Sequence, residues 1–123
     1  MGLPKVSVVL VNFRGIDDTL NAIKSIRETN YPKELLEIVV VDNASGDNSV
    51  EKLKSLSNQI VLVESSENLG FAGGVNLGVK KSTGEIIGLL NNDAKCDVNW
   101  INTAVDTFLA NKDVASVASK VFI

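Results

Sequence analysis

Continuous apolar runs alternate along the chain with segments whose apolar residues recur every three or four positions. The apolar runs cover residues 6–11, 38–41, 60–63 and 86–90 and are rich in valine and isoleucine. Strands that are apolar at successive positions are typical of a parallel sheet covered on both faces. The runs therefore predict four strands of such a sheet, and residues 114–123 supply a fifth extended segment.

The segments between the runs have the spacing of helices with one buried face. Helices are predicted over residues 17–29, 48–56, 72–81 and 100–109. Asn48 begins the second helix, and with Glu51 three positions later it resembles a capping box. Strands and helices that alternate in this way predict a three-layer α/β fold, in which a mostly parallel sheet has helices on both faces.

The composition is that of one globular domain spanning residues 1–123. Of the 123 residues, 45% are hydrophobic and 22% are charged, which is enough for one core. The net charge is −3 and the Lys80-Lys81 pair is the longest basic run, which argues against a nucleic-acid surface. Because the chain has no histidine, histidine triads and histidine-ligated zinc are excluded.

Cysteine usage and the amino terminus bear on location. Cys96 is the only cysteine, so no disulfide can form within the chain. Residues 1–5 lead into a strand and do not resemble a signal peptide, and no apolar run reaches the roughly 20 residues of a membrane-spanning helix. These features predict a reducing, cytoplasmic location.

Polar side chains follow each predicted strand at its carboxyl end. Asn12 follows the first strand, Asp42 the second, Ser65 and Asn68 the third, and residues 91–93 the fourth. In open parallel sheets, ligands bind outside the carboxyl ends of the strands. We therefore expect these side chains to meet at one edge of the sheet and to form a site there.

Asp42 has two interpretations. As a carboxylate at the end of a buried strand, it can accept a hydrogen bond from the N3–H of a pyrimidine base. Alternatively, residues 42–47 are simply a turn rich in the Asx and glycine residues that turns prefer. Ser45 is interpreted mainly as a hydroxyl that orients this loop, and Asn12 as either a ligand contact or a structural amide.

A glycine-rich segment, residues 67–78, opens the third helix. Glycine lets a ligand approach the backbone closely, and free N–H groups at a helix start favour anions. The alternative is that Gly73 and Gly74 permit tight packing of the helix on the sheet. The segment is not a dinucleotide-binding fingerprint, because that motif follows the first strand, and the chain lacks the Gly-Lys-Ser/Thr of a P-loop.

Four motifs occur in an order that resembles a known family. They are residues 6–13 (VSVVLVNF), 40–45 (VVDNAS), 68–74 (NLGFAGG) and 90–93 (LNND). Together they cover nearly the whole chain and resemble family 2 glycosyltransferases with the GT-A fold, most closely the rhamnosyltransferase-like branch. The resemblance implies that the chain binds a UDP- or dTDP-sugar donor.

The resemblance also implies donor-binding residues and a divalent cation, Mn²⁺ or Mg²⁺. The implied donor-binding residues are Asn12, Asp42, Ser45, Asn68, Gly70, Gly73, Asn91 and Asn92, and the implied metal ligand is Asp93. Asn91 stands where the family carries the first aspartate of an Asp-x-Asp motif. A single carboxylate must therefore bind the ion together with donor phosphates and water. Asp97 is interpreted as a cap of the following helix and Cys96 as an inert small residue.

The activity implied by the resemblance is inverting transfer of a sugar to an acceptor hydroxyl on a sugar or lipid-linked glycan. In the family this reaction serves cell-surface polysaccharide synthesis, which would place the protein at the inner face of the membrane. The family's catalytic base lies beyond the fifth strand, and no matching residue precedes Ile123. The sequence therefore predicts a donor-binding half, truncated after about the fifth strand, that lacks the acceptor side and is catalytically incomplete. The apolar segment 114–123 also predicts self-association.

Two other functions fit parts of the sequence. A receiver-like regulatory module would use Asp42 as phospho-acceptor together with Lys120. That module requires acidic residues after the first strand, where Asn12 and Phe13 stand, and an acceptor after the third strand, where the chain has Ser65. A protein that binds a nucleotide or sugar nucleotide without sugar transfer differs from the first hypothesis only in the missing carboxyl-terminal half.

Overall fold

The computed structural model of the chain describes residues 2–111. In chain order the elements are β1 (Val6–Asn12), α1 (Ile16–Arg27), a 3₁₀ turn (Lys33–Leu35), β2 (Leu36–Asp42), α2 (Ser49–Lys54), β3 (Val61–Glu64), α3 (Gly70–Lys81), β4 (Ile86–Leu89) and α4 (Trp100–Ala110). Strands and helices alternate as predicted. The fifth extended segment, predicted over residues 114–123, lies outside the described residues.

The strands of the described chain form one sheet in the order β3-β2-β1-β4, and every neighbouring pair is parallel. β1 lies between two partners, so that Val9 is paired with Val39 on one side and with Leu89 on the other. Nearly every residue of β1 is buried, which explains its continuous apolar run. The predicted α/β fold with a parallel sheet is confirmed.

One face of the sheet packs against α1, α2 and α4. Alternate residues of β1 and β2 lie on this face because successive side chains of a strand point to opposite sides. The core on this side includes Val6, Val8, Leu10, Ile38 and Val40 from the sheet, Ala22, Ile23 and Ile26 from α1, Leu53 from α2, and Ile101 and Val105 from α4. Burial of this apolar surface holds the three helices on the sheet. None of the helices within residues 2–111 is long and apolar enough to cross a membrane.

The opposite face is covered by α3, which contacts β1, β2 and β3. The buried residues of α3 are two glycines, Gly74 and Gly78. A β-carbon on Gly78 would lie 2.5 Å from Cγ1 of Val9 and 3.0 Å from Cγ2 of Val41. A β-carbon on Gly74 would lie 2.9 Å from Cγ1 of Val11. The backbone of α3 therefore rests directly on the strands, so helices cover both faces as predicted, and Gly74 serves packing.

One local prediction is wrong. Asn48 precedes α2 but makes no capping hydrogen bond, because its backbone (φ −83°, ψ 10°) is already close to helical. Oδ1 of Asp47 instead accepts a hydrogen bond from the N–H of Ser49 at 2.8 Å. Asp47 thus binds the first N–H of α2, which is not the N–H of Glu51 that the capping box would have Asn48 bind.

A largely buried carboxylate, Glu37, closes the amino-terminal edge of the sheet. Its Oε1 accepts hydrogen bonds from the Ser7 hydroxyl (2.7 Å) and the Thr83 N–H (2.9 Å). Its Oε2 accepts one from the Thr83 hydroxyl (3.0 Å) and lies 3.7 Å from Nζ of Lys5. Burial acts to raise the pKa of Glu37, but these hydrogen bonds and the charge of Lys5 together outweigh it and hold the pKa below its ordinary value. Glu37 thus fastens the turn between α3 and β4 to the two central strands.

Replacing Gly78 with alanine is expected to destabilise the fold. The added methyl group would meet two valines of the sheet, and overpacking of this kind costs up to about 3 kcal/mol. Because alanine improves helix propensity by about 1 kcal/mol, we expect a net loss of about 2 kcal/mol in urea unfolding. Asn76→Ala, at an exposed position of α3, is the control and should leave stability equal or slightly raised. Wild-type stability in Gly78→Ala would contradict the packing described above.

Glu37→Gln is expected to lower the unfolding free energy at neutral pH by about 1–3 kcal/mol, because charge-assisted hydrogen bonds are lost. Folding lowers the pKa of Glu37, so the stabilisation is complete above its ordinary value of 4.5 and is lost as the pH falls through the lower folded-state value. The stability difference between wild type and variant should therefore shrink from about pH 6 to about pH 3 in urea titrations. Glu51→Gln, on the exposed side of α2, is the control. A difference for Glu37→Gln that does not change with pH would refute this account.

Candidate functional site

The carboxyl ends of the strands lie along one edge of the sheet, where the sequence has its polar side chains. Backbone hydrogen bonds continue the ladder past the strand ends. The N–H of Asn43 donates to the carbonyl oxygen of Asn12, and the N–H of Ser65 donates to that of Asp42, both at 2.9 Å. Residues 90–93 follow β4 at the same edge. The loops that follow all four described strands are therefore neighbours.

Asp42 is the buried centre of this edge and is only 2% exposed. Its Oδ1 accepts hydrogen bonds from Nδ2 of Asn12 (2.9 Å) and from the Ser45 hydroxyl (2.7 Å). Its Oδ2 accepts one from the backbone N–H of Ser45 at 3.2 Å. A buried carboxylate requires such donors, and its two oxygens together can accept about four hydrogen bonds. The described contacts leave Oδ2 able to accept one more, from the N–H of a ligand.

Asn12 is fully buried and uses both ends of its side-chain amide. Nδ2 donates to Asp42 and also, at 3.3 Å, to Oγ of Ser45. Oδ1 accepts a hydrogen bond from the Thr19 hydroxyl at 2.6 Å. With both ends engaged, Asn12 orients Asp42 and Ser45, in agreement with the structural interpretation of this amide. Ser45 likewise orients its loop, and direct contact of either residue with a donor stays a prediction.

Phe13 and Arg14, which the sequence interpretation passed over, lie beside this carboxylate. The N–H of Arg14 donates to Oγ of Ser45 (2.9 Å), and its Nε donates to the Ser45 carbonyl oxygen (3.0 Å). The Arg14 guanidinium lies 4.9 Å from the centre of the Phe13 ring, which is 42% exposed. Phe13 thus presents a partly exposed aromatic ring directly after β1, and Arg14 joins this segment to the Ser45 loop. The available signal was an aromatic residue directly after a strand end.

Two loop residues at this edge have backbones that non-glycine residues usually avoid. Arg14 has φ 52° and Ala44 has φ 61°, both in the left-handed region. Each such conformation costs about 1–3 kcal/mol and persists only when surrounding contacts enforce it. Here the hydrogen bonds between Arg14 and Ser45 join the two loops. Strain of this kind concentrates at ligand sites, which supports a functional role for this edge.

Asn43, also passed over, holds the start of α3 against β2. Its Oδ1 accepts a hydrogen bond from the N–H of Leu69, and its Nδ2 donates to the carbonyl oxygen of Gly70, both at 2.9 Å. Asn43 is 2% exposed, so these hydrogen bonds are shielded from water. The available signal was a second Asx residue directly after Asp42. One amide thus joins the loop after β2 to the glycine-rich segment.

Most of the glycine-rich segment lies within α3, which begins two residues earlier than predicted. Oδ1 of Asn68 accepts a hydrogen bond from the N–H of Gly70 (2.8 Å), and Gly70 adopts φ 74°, which glycine tolerates. A β-carbon on Gly73 would lie 2.7 Å from Cβ of Leu69, so glycine here allows the preceding loop to close on the helix. Contacts of Asn68, Gly70 and Gly73 with a donor stay predictions.

Asp93 lies in an exposed turn after β4, where the N–H of Ala94 donates to the Asn91 carbonyl oxygen at 3.0 Å. Asn91 is exposed as well, whereas the half-buried Asn92 donates from Nδ2 to Oγ1 of Thr19 at 3.2 Å. Residues 2–111 contain no group of three histidine, cysteine, aspartate or glutamate side chains arranged to hold a metal. One carboxylate beside amide oxygens fits Mg²⁺ or Mn²⁺ when phosphates and water complete the coordination.

Cys96 and Asp97 have structural surroundings. The backbone N–H of Cys96 donates to Oγ of Ser25 at 3.2 Å. Burial raises the pKa of the Cys96 thiol, which keeps it protonated at neutral pH, as its interpretation as an inert residue requires. Oδ1 of Asp97 accepts a hydrogen bond from the N–H of Asn99 (3.2 Å) directly before α4. Asp97 therefore stabilises the turn before α4, but the prediction that it caps the helix is wrong, because Asn99 holds the N-cap position and no side chain makes a capping hydrogen bond there.

A parallel sheet with helices on both faces and a polar carboxyl edge is the architecture of the α/β proteins that bind nucleotides. Residues 7–123 match the family model described as Glycosyl transferase family 2. The chain belongs to this family, as the order of its motifs indicated. Family membership argues against the receiver-like alternative.

Curated relatives agree with this assignment. Glycosyltransferase AglE of Haloferax volcanii is 28% identical over 109 residues, a match that covers 85% of this chain and 36% of the relative. Glucosyl-dolichyl phosphate glucuronosyltransferase of the same organism is 29% identical over 122 residues, covering 95% of this chain and 38% of the relative. The chain thus spans little more than a third of the length of these relatives.

Solved structures show the same fold. Mannosyltransferase PcManGT from Pyrobaculum calidifontis, in complex with GDP-Man and Mn²⁺, superposes with a TM-score of 0.80 at 27% identity, over 88% of this chain and 33% of that chain. TarS 1–349 of S. aureus, in complex with UDP-GlcNAc, superposes with a TM-score of 0.78 at 21% identity, over 86% of this chain and 31% of that chain. The second likeness shows the fold alone. The fold is of the GT-A type, as predicted.

Asn43→Ala is expected to release the start of α3 from β2. Loss of two buried hydrogen bonds should lower the unfolding free energy by about 2 kcal/mol and accelerate hydrogen exchange at the N–H of Leu69. Asn43→Asp is the matched variant, because it keeps an acceptor for Leu69 and loses the donor to Gly70; as it also adds a buried negative charge beside Asp42, its overall stability should be lower than that of wild type. Residue-resolved exchange should show Leu69 protected in Asn43→Asp and unprotected in Asn43→Ala. Equal protection in Asn43→Ala and wild type would show that Asn43 does not hold this segment.

Proposed function

We propose that residues 1–123 form a single donor-binding domain of an inverting glycosyltransferase, which binds a nucleoside-diphosphate sugar with a divalent cation. The observation that carries the proposal is the presence of two carboxylates along one edge of the sheet. Asp42 is buried and hydrogen-bonded, and Asp93 is exposed. A nucleotide sugar has a hydrogen-bonding base at one end and a charged diphosphate further along. The edge has a suitable group for each.

Asp42 is proposed to recognise the base. Its Oδ2 would accept the N3–H of uracil or thymine, while the exposed ring of Phe13, with Arg14 over it, would stack on the base. Guanine also presents a ring N–H at its Watson–Crick edge, whereas the corresponding ring nitrogen of cytosine or adenine is unprotonated and repels a carboxylate, so that only the amino group of these bases could donate. A carboxylate acceptor therefore favours UDP, dTDP or GDP. The complex of PcManGT with GDP-Man makes GDP a necessary member of any test.

Asp93 is proposed to hold Mn²⁺ or Mg²⁺ at the diphosphate end of the donor. Asn91 and Asn92 would contribute amide oxygens or contact the donor, and the exposed turn leaves room for phosphate oxygens to complete the coordination. The ion, when bound, neutralises the negative charge that develops on the departing diphosphate. Asn68, Gly70 and Gly73 would border the donor from the start of α3, where backbone N–H groups favour anions.

The acceptor in this proposal is a hydroxyl of a sugar or lipid-linked glycan, and the reaction serves cell-surface polysaccharide synthesis at the cytoplasmic face of the membrane. The name of one relative, a glucosyl-dolichyl phosphate glucuronosyltransferase, supports a lipid-linked acceptor. Attack by a hydroxyl requires a general base. We assign that role to no described residue, since Asp106 lies exposed on α4, away from the strand ends. Catalysis is expected to need the acceptor side found in longer relatives.

A protein that binds a sugar nucleotide without transferring the sugar is the second candidate. The same donor site supports this candidate, and we have assigned no general base among residues 2–111. A panel of UDP-, dTDP- and GDP-sugars with Mn²⁺ distinguishes the two. Sugar transfer by this chain would exclude the binding protein and would also refute the prediction of catalytic incompleteness.

Isothermal titration of UDP, dTDP and GDP into the chain, with and without Mn²⁺, tests the donor site. We expect at least one nucleotide to bind more tightly with Mn²⁺, by roughly tenfold or more, which corresponds to about 1.4 kcal/mol. Asp93→Ala should lose this metal-dependent gain and keep the affinity measured without metal, because it removes the only carboxylate of the turn.

Asp106→Ala is the control, since it removes an exposed carboxylate from α4 and should keep the full gain from Mn²⁺. A gain that persists in Asp93→Ala would rule out Asp93 as the metal ligand. Failure of all three nucleotides to bind the wild-type chain would refute the donor-binding function itself.

A further inference from the structure

Thr19, in the first turns of α1, is a polar residue that the site described so far does not require. It is fully buried, on the face of α1 whose other buried residues are apolar and form part of the core. Its hydroxyl contacts Asn12, the last residue of β1, and Asn92, in the turn after β4. The Thr19 hydroxyl therefore links the end of β1 to the turn after β4 by hydrogen bonds.

The hydrogen bonds through Thr19 have a defined direction. A hydroxyl has one proton, and the contact of Oγ1 with Oδ1 of Asn12 (2.6 Å) is shorter than its contact with the Gly15 carbonyl oxygen (3.0 Å). Oγ1 therefore donates to Asn12 and accepts from Nδ2 of Asn92 at 3.2 Å. Nδ2 of Asn12 in turn donates to Oδ1 of Asp42 at 2.9 Å. Each of these three hydrogen bonds is therefore donated in the direction of the Asp42 carboxylate.

This series, Asn92–Thr19–Asn12–Asp42, is shielded over most of its length. Asn12 and Thr19 are completely buried and Asp42 is 2% exposed, so water cannot replace the hydrogen bonds at low cost. Hydrogen bonds in series polarise one another, which strengthens the dependence of each on the next. The backbone also makes room for the series, because a β-carbon on Gly15 would lie 2.9 Å from Nδ2 of Asn92.

We propose that Thr19 is a positioning residue that couples the base end of the donor site to its metal end. The inference rests on the proposed function. A base that hydrogen-bonds Asp42 would fix Asn12 and Thr19, and Thr19 would hold Asn92 and with it the neighbouring Asp93. Coupling of two binding events is reciprocal, so Mn²⁺ at Asp93 raises the affinity for the base by the factor by which the base raises the affinity for Mn²⁺.

The test measures this coupling directly. UDP is titrated with and without Mn²⁺ into wild type and Thr19→Val, with dTDP and GDP in parallel, and the ratio of the two affinities is called the coupling factor. Direct bonds of Mn²⁺ to the diphosphate contribute to this factor in both proteins, so its change between wild type and Thr19→Val measures the contribution of Thr19. Valine keeps the shape of threonine and removes the hydroxyl. We expect the factor to fall by about 3- to 10-fold, as for loss of one buried hydrogen bond.

Two controls separate positioning from stability. Thr19→Ser retains the hydroxyl and should restore the wild-type factor. Thr107→Val removes a hydroxyl in α4 that donates to the Thr103 carbonyl oxygen, and it should leave the factor unchanged. If Thr19→Val does not fold, Gly15→Ala takes its place, because its methyl group displaces Asn92 from Thr19 and leaves both side chains intact. The same fall in the coupling factor is expected.

A second readout needs no metal. The side-chain amide signals of Asn92 in NMR spectra should shift when UDP alone binds wild type or Thr19→Ser, and the shift should be clearly smaller in Thr19→Val, where only direct contact with the donor remains. An unchanged coupling factor in Thr19→Val, with UDP still bound, would overturn the inference and leave the proposed function standing. Absence of binding by any of the three nucleotides to wild type would overturn both.

Discussion

The constraint on which the carboxyl edge depends is the burial of one charge. Asp42 ends a strand that is covered on both faces, and a carboxylate in that position is tolerated only if donors surround it. Asn12 comes from the neighbouring strand and Ser45 from the loop that follows, so meeting this requirement fixes two loops relative to each other. The left-handed backbones of Arg14 and Ala44 belong to the same arrangement. The shape of this part of the edge therefore follows from the need to surround a buried carboxylate with hydrogen-bond donors.

The start of α3 is held at the same edge by two independent means. Gly74 and Gly78 bring the helix backbone onto β1 and β2, which sets its height above the sheet. Asn43 then ties the residues before the helix to the end of β2, which sets where the helix begins along the sheet. Close packing at two glycines and a shielded amide together fix the helix start more firmly than either would alone.

The sheet and its helices were predictable because burial leaves a periodic trace in the sequence, and the strand ends located Asp42 and Asp93. The role of Thr19 was not predictable. A threonine within a helix gives the same sequence pattern whether its hydroxyl is exposed or buried, and its partner Asn92 is 73 residues away. Gly74 could not be assigned from sequence because glycine serves packing and ligand approach equally well. At Asn48 the capping pattern failed because the backbone of this residue is already close to helical. Local sequence patterns thus predicted the helices and strands, whereas the geometry of the carboxyl edge depends on contacts between residues that are distant in sequence.

The central place of β1 has a consequence for how the protein is made. Val9 pairs with Val39 in the next strand, but its other partner is Leu89 in β4. One side of β1 can therefore pair only after a much later part of the chain has been synthesised. Contacts this distant in sequence form late, since the intervening chain must first close as a loop. The turn that contains Asn92 reaches Thr19 only after β4 has docked. On a growing chain, the contact between Asn92 and Thr19 would therefore form later than the pairing of β1 with β2, because it requires β4 to be in place.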